Sequence, residues 1–387
     1  MTGKTVTILG STGSVGTQTL DILAENAGRY PVRALVGGRN VALLARQARR
    51  FRPEITVVAE SGLLAELRAA LGGSGLACAA GRDAVLEAAA MPVDWTMAAI
   101  TGAIGLEPTL AAVRHGGTIA FANKEALVCA GDVFLRAVSE HKATLLPVDS
   151  EHNAVMQAMA GGNHGAIEKI VLTASGGPFR ACSYEEMRGI TPEAALRHPT
   201  WSMGAKISID SATMMNKGLE VIEAARLFSL ASAQIEVVVH PQSIVHGLAY
   251  YADGSVLAQL GSPDMRIPIA HALAWPHRLT TAAPRLNLAE VARLEFFPPD
   301  ETRFPALRLA REALAEGGGA PAVLNAANEV AVAAFLAGKI GFLDIAEIVE
   351  AMLGEFGAPA VPDLAAVLAL DNTVREAAAR LGAAQAA

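Results

Sequence analysis

Thr5-Val-Thr-Ile-Leu9 running into Gly10-Ser-Thr-Gly13-Ser-Val-Gly16 is the stretch on which the fold turns. The first five residues are uncharged and mostly β-branched or aliphatic, which reads as a buried strand. Three glycines spaced by three then read as a tight turn, and a helix is expected to start near Ser14. Strand, glycine turn and helix together open a βαβ unit, and G-x-x-G-x-x-G is a variant of the dinucleotide fingerprint. Glycines there allow the turn and let backbone N–H groups reach a pyrophosphate, whose charge the helix N-terminus favours. A glycine loop without a ligand has the same local pattern, so the reading depends on its surroundings.

Working outward, short β-branched runs alternate with amphipathic stretches as far as residue 148. Strands are expected at Thr5–Leu9, Val32–Val36, Glu54–Val58, Trp95–Met97, Thr118–Ala120 and Thr144–Val148. Helices are expected at Thr17–Asn26, Val41–Phe51, Leu63–Ala70, Arg82–Ala90 and Leu106–His115. This alternation predicts a parallel sheet covered on both faces. From Asp149 the pattern changes. A helix at His152–Ala160 precedes strands at Lys169–Ala174, Glu236–His240, Ser243–Ala249 and Ser255–Gln259. The last two are joined through Asp253-Gly254, a hairpin signal, so an α+β region with antiparallel pairing is expected. Prolines 276, 284, 298, 299 and 305 mark a linker-like stretch. Beyond it Pro305–Glu316, Pro321–Ala337, Leu343–Phe356 and Val361–Leu381 read as a helical bundle. The fold class is therefore α/β: a Rossmann-like N-terminal domain over 1–148, an α+β catalytic domain over 149–275, a linker over 276–300 and a C-terminal helical bundle over 301–387.

Composition narrows the function classes. The 387 residues are 52% hydrophobic and 18% charged, too apolar for a disordered chain. Mean hydropathy is high at +0.35, yet no 18-residue window lacks Asp, Glu, Lys and Arg, so no spanning helix is expected. A net charge of −7 without a basic stripe argues against nucleic acid and anionic membrane as partners. Cys78, Cys129 and Cys182 are odd in number and lack a C-x-x-C, which suits a reducing cytoplasm. Met1-Thr-Gly-Lys4 leads directly into the first strand, so no targeting segment is expected.

Several polar clusters point to chemistry. The second strand ends in Val36-Gly37-Gly38-Arg39-Asn40, with no acid for a ribose 2′-OH and one guanidinium suited to a 2′-phosphate. NADP is thus preferred over NAD, an ordinary surface arginine being the alternative. Leu145-Leu-Pro-Val-Asp149-Ser150-Glu151 places two carboxylates two residues apart at a strand end, where extended backbone aims them alike. All-oxygen ligands suit Mg2+ or Mn2+; a solvated turn or helix cap uses the same residues. In Ser208–Glu220, Asn216, Lys217 and Glu220 share a helix face, and Ser211, Asn216 and Lys217 offer two neutral donors and a cation to a phosphate. The bland reading is a surface ion pair between Lys217 and Glu220. Ser175-Gly-Gly-Pro178 after a strand supplies a backbone nest for an anion. Arg197–Gly204, with Trp201 and Met203, reads as a loop that covers a site.

These motifs resemble the 1-deoxy-D-xylulose 5-phosphate reductoisomerase family. The resemblance is carried by 10–16, Asn123-Lys124-Glu125, Leu146–Asn153, Ser175–Arg180, His198–Gly204, Asp210–Glu220, His240–His246, Gly261–Arg266 and Leu324–Glu329, so it spans essentially the whole chain. It implies a homodimeric, bacterial-type enzyme that rearranges and reduces 1-deoxy-D-xylulose 5-phosphate to 2-C-methyl-D-erythritol 4-phosphate. NADPH and Mg2+ or Mn2+ are the implied cofactors, with Co2+ a further option. By matching position, Asp149, Glu151 and Glu220 are implied metal ligands, and Lys124 lies at the cofactor–substrate junction. Ser150, Ser175, His198, Ser211, Asn216 and Lys217 are implied substrate contacts. Thr12, Gly13, Ser14, Val15, Gly38, Arg39, Asn40, Asn123, Glu125 and Gly204 are implied cofactor contacts, and Trp201 and Met203 a closing loop. Thr101 stands where a smaller apolar residue is more usual. The implied reaction breaks and re-forms a carbon–carbon bond before hydride delivery, with retro-aldol and aldol steps as the expected route and concerted or stepwise order left open. From the residues alone, a plain NADP dehydrogenase such as a semialdehyde dehydrogenase and a nucleotide-sensing protein remain open. The first needs a nucleophilic cysteine in a catalytic setting, and the second needs none of Asp149, Glu151 and Glu220.

Overall fold

In the computed structural model, which describes residues 3–201 and 203–385, the opening stretch is a strand whose four residues are all buried. Strands β1 (Val6–Leu9), β2 (Val32–Gly37), β3 (Ile55–Val58), β4 (Cys78–Ala80), β5 (Trp95–Ala98), β6 (Thr118–Phe121) and β7 (Thr144–Pro147) form one parallel sheet. Its order is β4-β3-β2-β1-β5-β6-β7. The chain builds outward from β1 on one side, then crosses back to lay β5 on the other. That reversal leaves a crevice at the carboxyl ends of β1 and β5, where open α/β sheets bind ligands. Strands covered on both faces must be apolar on both, which is why β1 and β5 show no polar alternation.

Six strands and five helices lie within a few residues of the expected limits; Val41–Phe51 has the same ends. Strand β4 and the helix Lys124–Glu140 were not expected. Cys78-Ala-Ala80 carries no β-branched residue and is only half-buried at the sheet edge.

A second sheet has the order β11-β10-β8-β9, from β8 (Ile167–Ala174), β9 (Ile235–Val239), β10 (Val245–Tyr251) and β11 (Val256–Leu260). Strand β10 is antiparallel to both β8 and β11, whereas β8 and β9 run parallel. The β10–β11 hairpin closes through Gly254 at φ +84°, a conformation that suits glycine. Helices Ala306–Glu316, Ala320–Leu336, Asp344–Phe356 and Leu364–Gln385 do not form a separate core. One apolar cluster runs from Val155, Ile170 and Leu172 through Leu219 and Ile222 to Leu309, Val323, Phe335 and Ile348.

Contacts divide the chain into two units. The first holds residues up to Ala126, Phe134–Ser150 and Asp264–Pro284; the second holds Leu127–Val133, Glu151–Pro263 and Arg285 onward. Residues 264–275, read from sequence with the catalytic region, are grouped with the first sheet. Trp95 Nε1 donates to the Ala272 carbonyl (3.1 Å) and Lys4 Nζ to that of Leu273 (2.9 Å). Within the proline-rich stretch, Phe297 forms an antiparallel bridge with Val239.

Candidate active site

The glycine turn is built so that two of its glycines admit no side chain. Gly10 has φ +89°, and a Cβ there would lie 2.5 Å from the Ala99 carbonyl oxygen. A Cβ on Gly16 would overlap the Gly10 carbonyl and Ser11 Cα. The Gly10 and Ser11 amides donate to Val36 O (2.9 and 2.8 Å), and Gln47 Nε2 donates to Ser11 O (2.8 Å). The turn is therefore rigid before any ligand arrives. Gly13 caps the helix Ser14–Glu25, so Ser14, Val15 and Gly16 supply first-turn amides, a site for a phosphate charge. Thr12 and Gly13 complete the turn. Gly38 follows β2 with nothing within 4 Å of a would-be Cβ, an open approach to backbone of the kind a dinucleotide needs. The residues present thus fit such a cofactor.

Asn40 caps the helix Val41–Phe51, its side chain accepting from the Leu43 amide (3.1 Å). Arg39 is 85% exposed and donates through Nε (3.2 Å) and Nη2 (3.1 Å) to one oxygen of Glu60, just past β3. At the end of β6, Asn123 is fully buried. Its Nδ2 donates to the carbonyls of Ile100 (2.5 Å) and Gly102 (3.0 Å) and to Glu125 (3.3 Å), bracing the turn after β5. Its Oδ1 is buried without a partner. Thr101, in that turn, is exposed. Glu125 lies in the first turn of Lys124–Glu140, and the buried Lys124 ammonium pairs with the Asp149 carboxylate.

The two carboxylates at 149 and 151 come together by a route other than the one expected. β7 ends at Pro147 and a helix starts at Ser150, so Glu151 lies in a first helical turn and the strand alternation does not apply. Glu220 enters from the helix Met215–Phe228. One oxygen from each of Asp149, Glu151 and Glu220 lies within 4.8 Å of the others. The i,i+3 pair Lys217–Glu220 exists but is no surface feature: Lys217 is 3% exposed and Glu220 0%. Lys217 Nζ donates to Glu151 Oε1 (2.7 Å) and to Glu220, whose other oxygen accepts from Asn216 Nδ2 (2.5 Å). Burial works to lower the Lys217 pKa, but Glu151 and Glu220 outweigh it and hold it above the ordinary lysine value. An ammonium bridging two carboxylates marks a place where a cation is favoured, and the all-oxygen donor set fits a hard divalent ion. Lys217 is thus drawn to the acids, where sequence reading had placed it with Ser211 and Asn216.

A second group forms behind β8. Gly176 and Gly177 have φ of +80° and +68°, and a Cβ on Gly177 would lie 2.7 Å from Ser211 O, so the turn packs directly on the end of the helix Ala205–Ala212. Ser175 Oγ is 2.9 Å from His198 Nε2, while His198 Nδ1 accepts from the amides of Thr200 (3.1 Å) and Trp201 (2.9 Å). A ring nitrogen that accepts carries no proton, so Nε2–H donates to Ser175. Gly177 N–H donates to the same oxygen (3.2 Å), leaving the serine proton to point elsewhere. Burial lowers the His198 pKa and keeps the ring neutral. His198 therefore ties Ser175 to the loop carrying Trp201 and Met203. Trp201 also meets His246 edge-on (6.1 Å between centroids). Gly204, exposed and with nothing near a would-be Cβ, caps Ala205–Ala212 in the second unit. Ser202, quoted within the loop motif, lies outside the described residues.

Sequence reading passed over several residues around these groups. His152 is fully buried, with Nε2 2.9 Å from Glu220 O and Nδ1 3.2 Å from Glu223, bracing the helix that presents Glu220. Asn328 Nδ2 donates to the buried Asp210 (2.8 Å), which also pairs with Lys206 (2.7 Å), so the C-terminal motif 324–329 supports the helix carrying Ser211. Glu60 had one signal, an acid immediately past a strand end.

Family models described as 1-deoxy-D-xylulose 5-phosphate reductoisomerase, its C-terminal domain, and DXP reductoisomerase C-terminal domain match residues 6–131, 145–228 and 260–377. A 1-deoxy-D-xylulose 5-phosphate reductoisomerase of Gluconobacter oxydans is 63% identical over 91% of this chain and 86% of that one. The chain belongs to the 1-deoxy-D-xylulose 5-phosphate reductoisomerase family. A reductoisomerase of Rhodospirillum centenum is 57% identical over 98% of this chain and 95% of its own. Among solved structures, the Zymomonas mobilis reductoisomerase in complex with NADPH superposes with a TM-score of 0.92 at 53% identity, covering 98% of this chain and 99% of that one. A DOX-P reductoisomerase in complex with NADPH, fosmidomycin and magnesium gives 0.94 at 44% identity, covering 98% of each. This membership removes the plain dehydrogenase and the nucleotide sensor as readings.

Proposed function

We propose that the chain converts 1-deoxy-D-xylulose 5-phosphate to 2-C-methyl-D-erythritol 4-phosphate, with NADPH as reductant and Mg2+ or Mn2+ as the metal. Family membership across the chain supports this. The observation that carries the chemistry is the gathering of Asp149, Glu151 and Glu220 within 4.8 Å. The bound ion supplies Lewis acidity to adjacent substrate oxygens, and NADPH supplies the hydride. Asp149, Glu151 and Glu220 hold the ion, with Co2+ an alternative. Lys124, paired to Asp149, orients that carboxylate next to the reacting carbons. Ser150, Ser175, His198, Ser211, Asn216 and Lys217 bind the substrate. Ser175 is aimed by His198, and grip on the remote phosphate positions the reacting carbons. Thr12, Gly13, Ser14, Val15, Gly38, Arg39, Asn40, Asn123, Glu125 and Gly204 bind NADPH. Trp201 and Met203 cover the site and exclude water.

Labour divides along the chain: 1–148 for cofactor, 149–275 for metal and substrate, 276–300 as link and 301–387 as helical support. A homodimer in the cytoplasm completes the reading. Val256 and Leu257 are 42% and 40% exposed on edge strand β11, an edge that a second copy would cover. Among the described residues no disulfide joins Cys78, Cys129 and Cys182, and no helix is long and apolar enough to cross a membrane. The test is NADPH oxidation with the deoxyxylulose phosphate. EDTA should stop it and Mg2+ or Mn2+ restore it, and Glu220→Gln should abolish turnover while NADPH still binds. Turnover untouched by complete metal removal would overturn the reading.

A further inference from the structure

We propose that Glu60 is a specificity-determining residue: by competing for the Arg39 guanidinium, it limits how strongly the chain prefers a 2′-phosphorylated dinucleotide over an unphosphorylated one. The inference rests on the reading that the first sheet binds NADPH. It concerns a residue to which that reading gives no role.

The two side chains meet because of strand register. Gly37 of β2 lies opposite Val58 of β3, and the Ala59 amide donates to Gly37 O (2.8 Å), so the two strands end side by side. Arg39 and Glu60 each follow two residues beyond that tie. In this fold class the end of β2 is where the adenosine ribose is read: an acid there suits a free 2′-OH and an arginine suits a 2′-phosphate. This chain places one of each at that point, from neighbouring strands.

The geometry makes them rivals. Arg39 turns its Nε and Nη2 to a single Glu60 oxygen at 3.2 and 3.1 Å. That Nε/Nη2 edge is one of the two by which a guanidinium grips a phosphate in bidentate fashion. A 2′-phosphate must therefore displace Glu60 or be confined to the remaining edge of Arg39. Once displaced, the carboxylate stays tethered to β3 as a like charge near a dianion. A 2′-OH pays neither penalty, and it can donate a hydrogen bond to the same carboxylate. The pair is exposed, at 85% and 47%, so exchange is easy and its effect is of moderate size.

The test is Glu60→Gln, with affinities for NADPH and NADH measured by the cofactor's fluorescence or by calorimetry, without substrate or turnover. Removing one like charge close to a dianion, screened at physiological salt, together with lost competition for Arg39, is expected to tighten NADPH about three- to tenfold. NADH should be unchanged or weaker, and the gain should shrink as salt rises. In an Arg39→Ala background the same change should move NADPH much less, because the competition has gone. An unchanged NADPH/NADH affinity ratio in Glu60→Gln would overturn the inference while leaving the cofactor reading intact. Equal effects in both Arg39 backgrounds would show that Glu60 does not act through Arg39, and would also overturn it. Failure of the unmodified chain to prefer NADPH would instead overturn the reading beneath it.

Discussion

Lys217→Met is the most direct probe of the charge arrangement at the three acids. Methionine keeps most of the side-chain volume and removes the ammonium. The lysine is 3% exposed, Glu220 0% and Glu151 17%, so neither acid regains full hydration when its partner is lost. Three carboxylates facing two ammoniums, Lys124 and Lys217, carry one net negative charge; the variant carries two. Breaking a buried ion pair by removing one partner costs about 3–5 kcal/mol. At roughly 2–4 °C per kcal/mol for a unit of this size, Tm in EDTA should fall by about 6–20 °C. Lys217's raised pKa keeps its contribution fully present below the ordinary value of 10.5, with loss only as pH rises through the higher folded value. A melt at pH 7.5 therefore reads the intact pair. A divalent ion is the natural substitute for the missing charge, and at a hundredfold excess over Kd it adds about 2.7 kcal/mol. Differential scanning fluorimetry should accordingly show Mg2+ raising the Tm of the variant more than that of the unmodified chain. A variant as stable as its parent in EDTA, or one that gains less from Mg2+, would refute the reasoning.

Three shorter predictions separate fold from ligand. Gly38→Ala should leave Tm unchanged and weaken NADPH, because only a ligand would meet the new methyl; Gly16→Ala should lower both, because the turn's own backbone is in the way, and equal behaviour of the two would refute the distinction. Burial, with Arg278 adding to it, pushes the His271 pKa down to about 4, so its contribution to stability is full above 6.5 and is lost as pH falls from 6.5 to about 4. His271→Gln should therefore flatten the fall in Tm between pH 7 and 4.5, and parallel curves would rule that cause out. The proposed homodimer predicts that Leu257→Glu on the exposed edge of β11 yields a monomer by light scattering, and a dimer that persists would refute pairing at this edge.

What could be read from sequence follows a physical division. The turn at 10–16 and the helix at 41–51 are legible because their signals are local: glycines with no room for a side chain, and an apolar stripe behind an Asn cap. Cys78–Ala80 is illegible because it lies half-buried at a sheet edge and takes its strand from its neighbour. Asp149 and Glu151 were singled out by strand alternation, yet a helix start at Ser150 is what places Glu151. The i,i+3 spacing of Lys217 and Glu220 was visible, but burial, which turns a weak surface pair into a strong one, depends on distant packing. Ser175 and His198 are 23 residues apart, and no local pattern announces that one aims the other.

The C-terminal helices acquire a part in the site through packing. Gly218 lies between Lys217 and Glu220, and a Cβ there would meet Ala310 Cβ at 2.8 Å and Ala306 O at 3.0 Å. The glycine therefore lets Met215–Phe228 lie almost backbone-to-backbone on Ala306–Glu316. Asn328, from the next helix, holds Asp210 one residue before Ser211. Both elements that carry Ser211, Asn216, Lys217 and Glu220 are thus clamped from behind by residues 306–336. Such a clamp suits a site that gathers like charges. Carboxylates held within 4.8 Å repel, Lys124 and Lys217 offset that only in part, and a helix free to shift would relieve the remainder by moving apart. The alanine-rich bundle raises the mean hydropathy of the chain, and it also keeps those acids together.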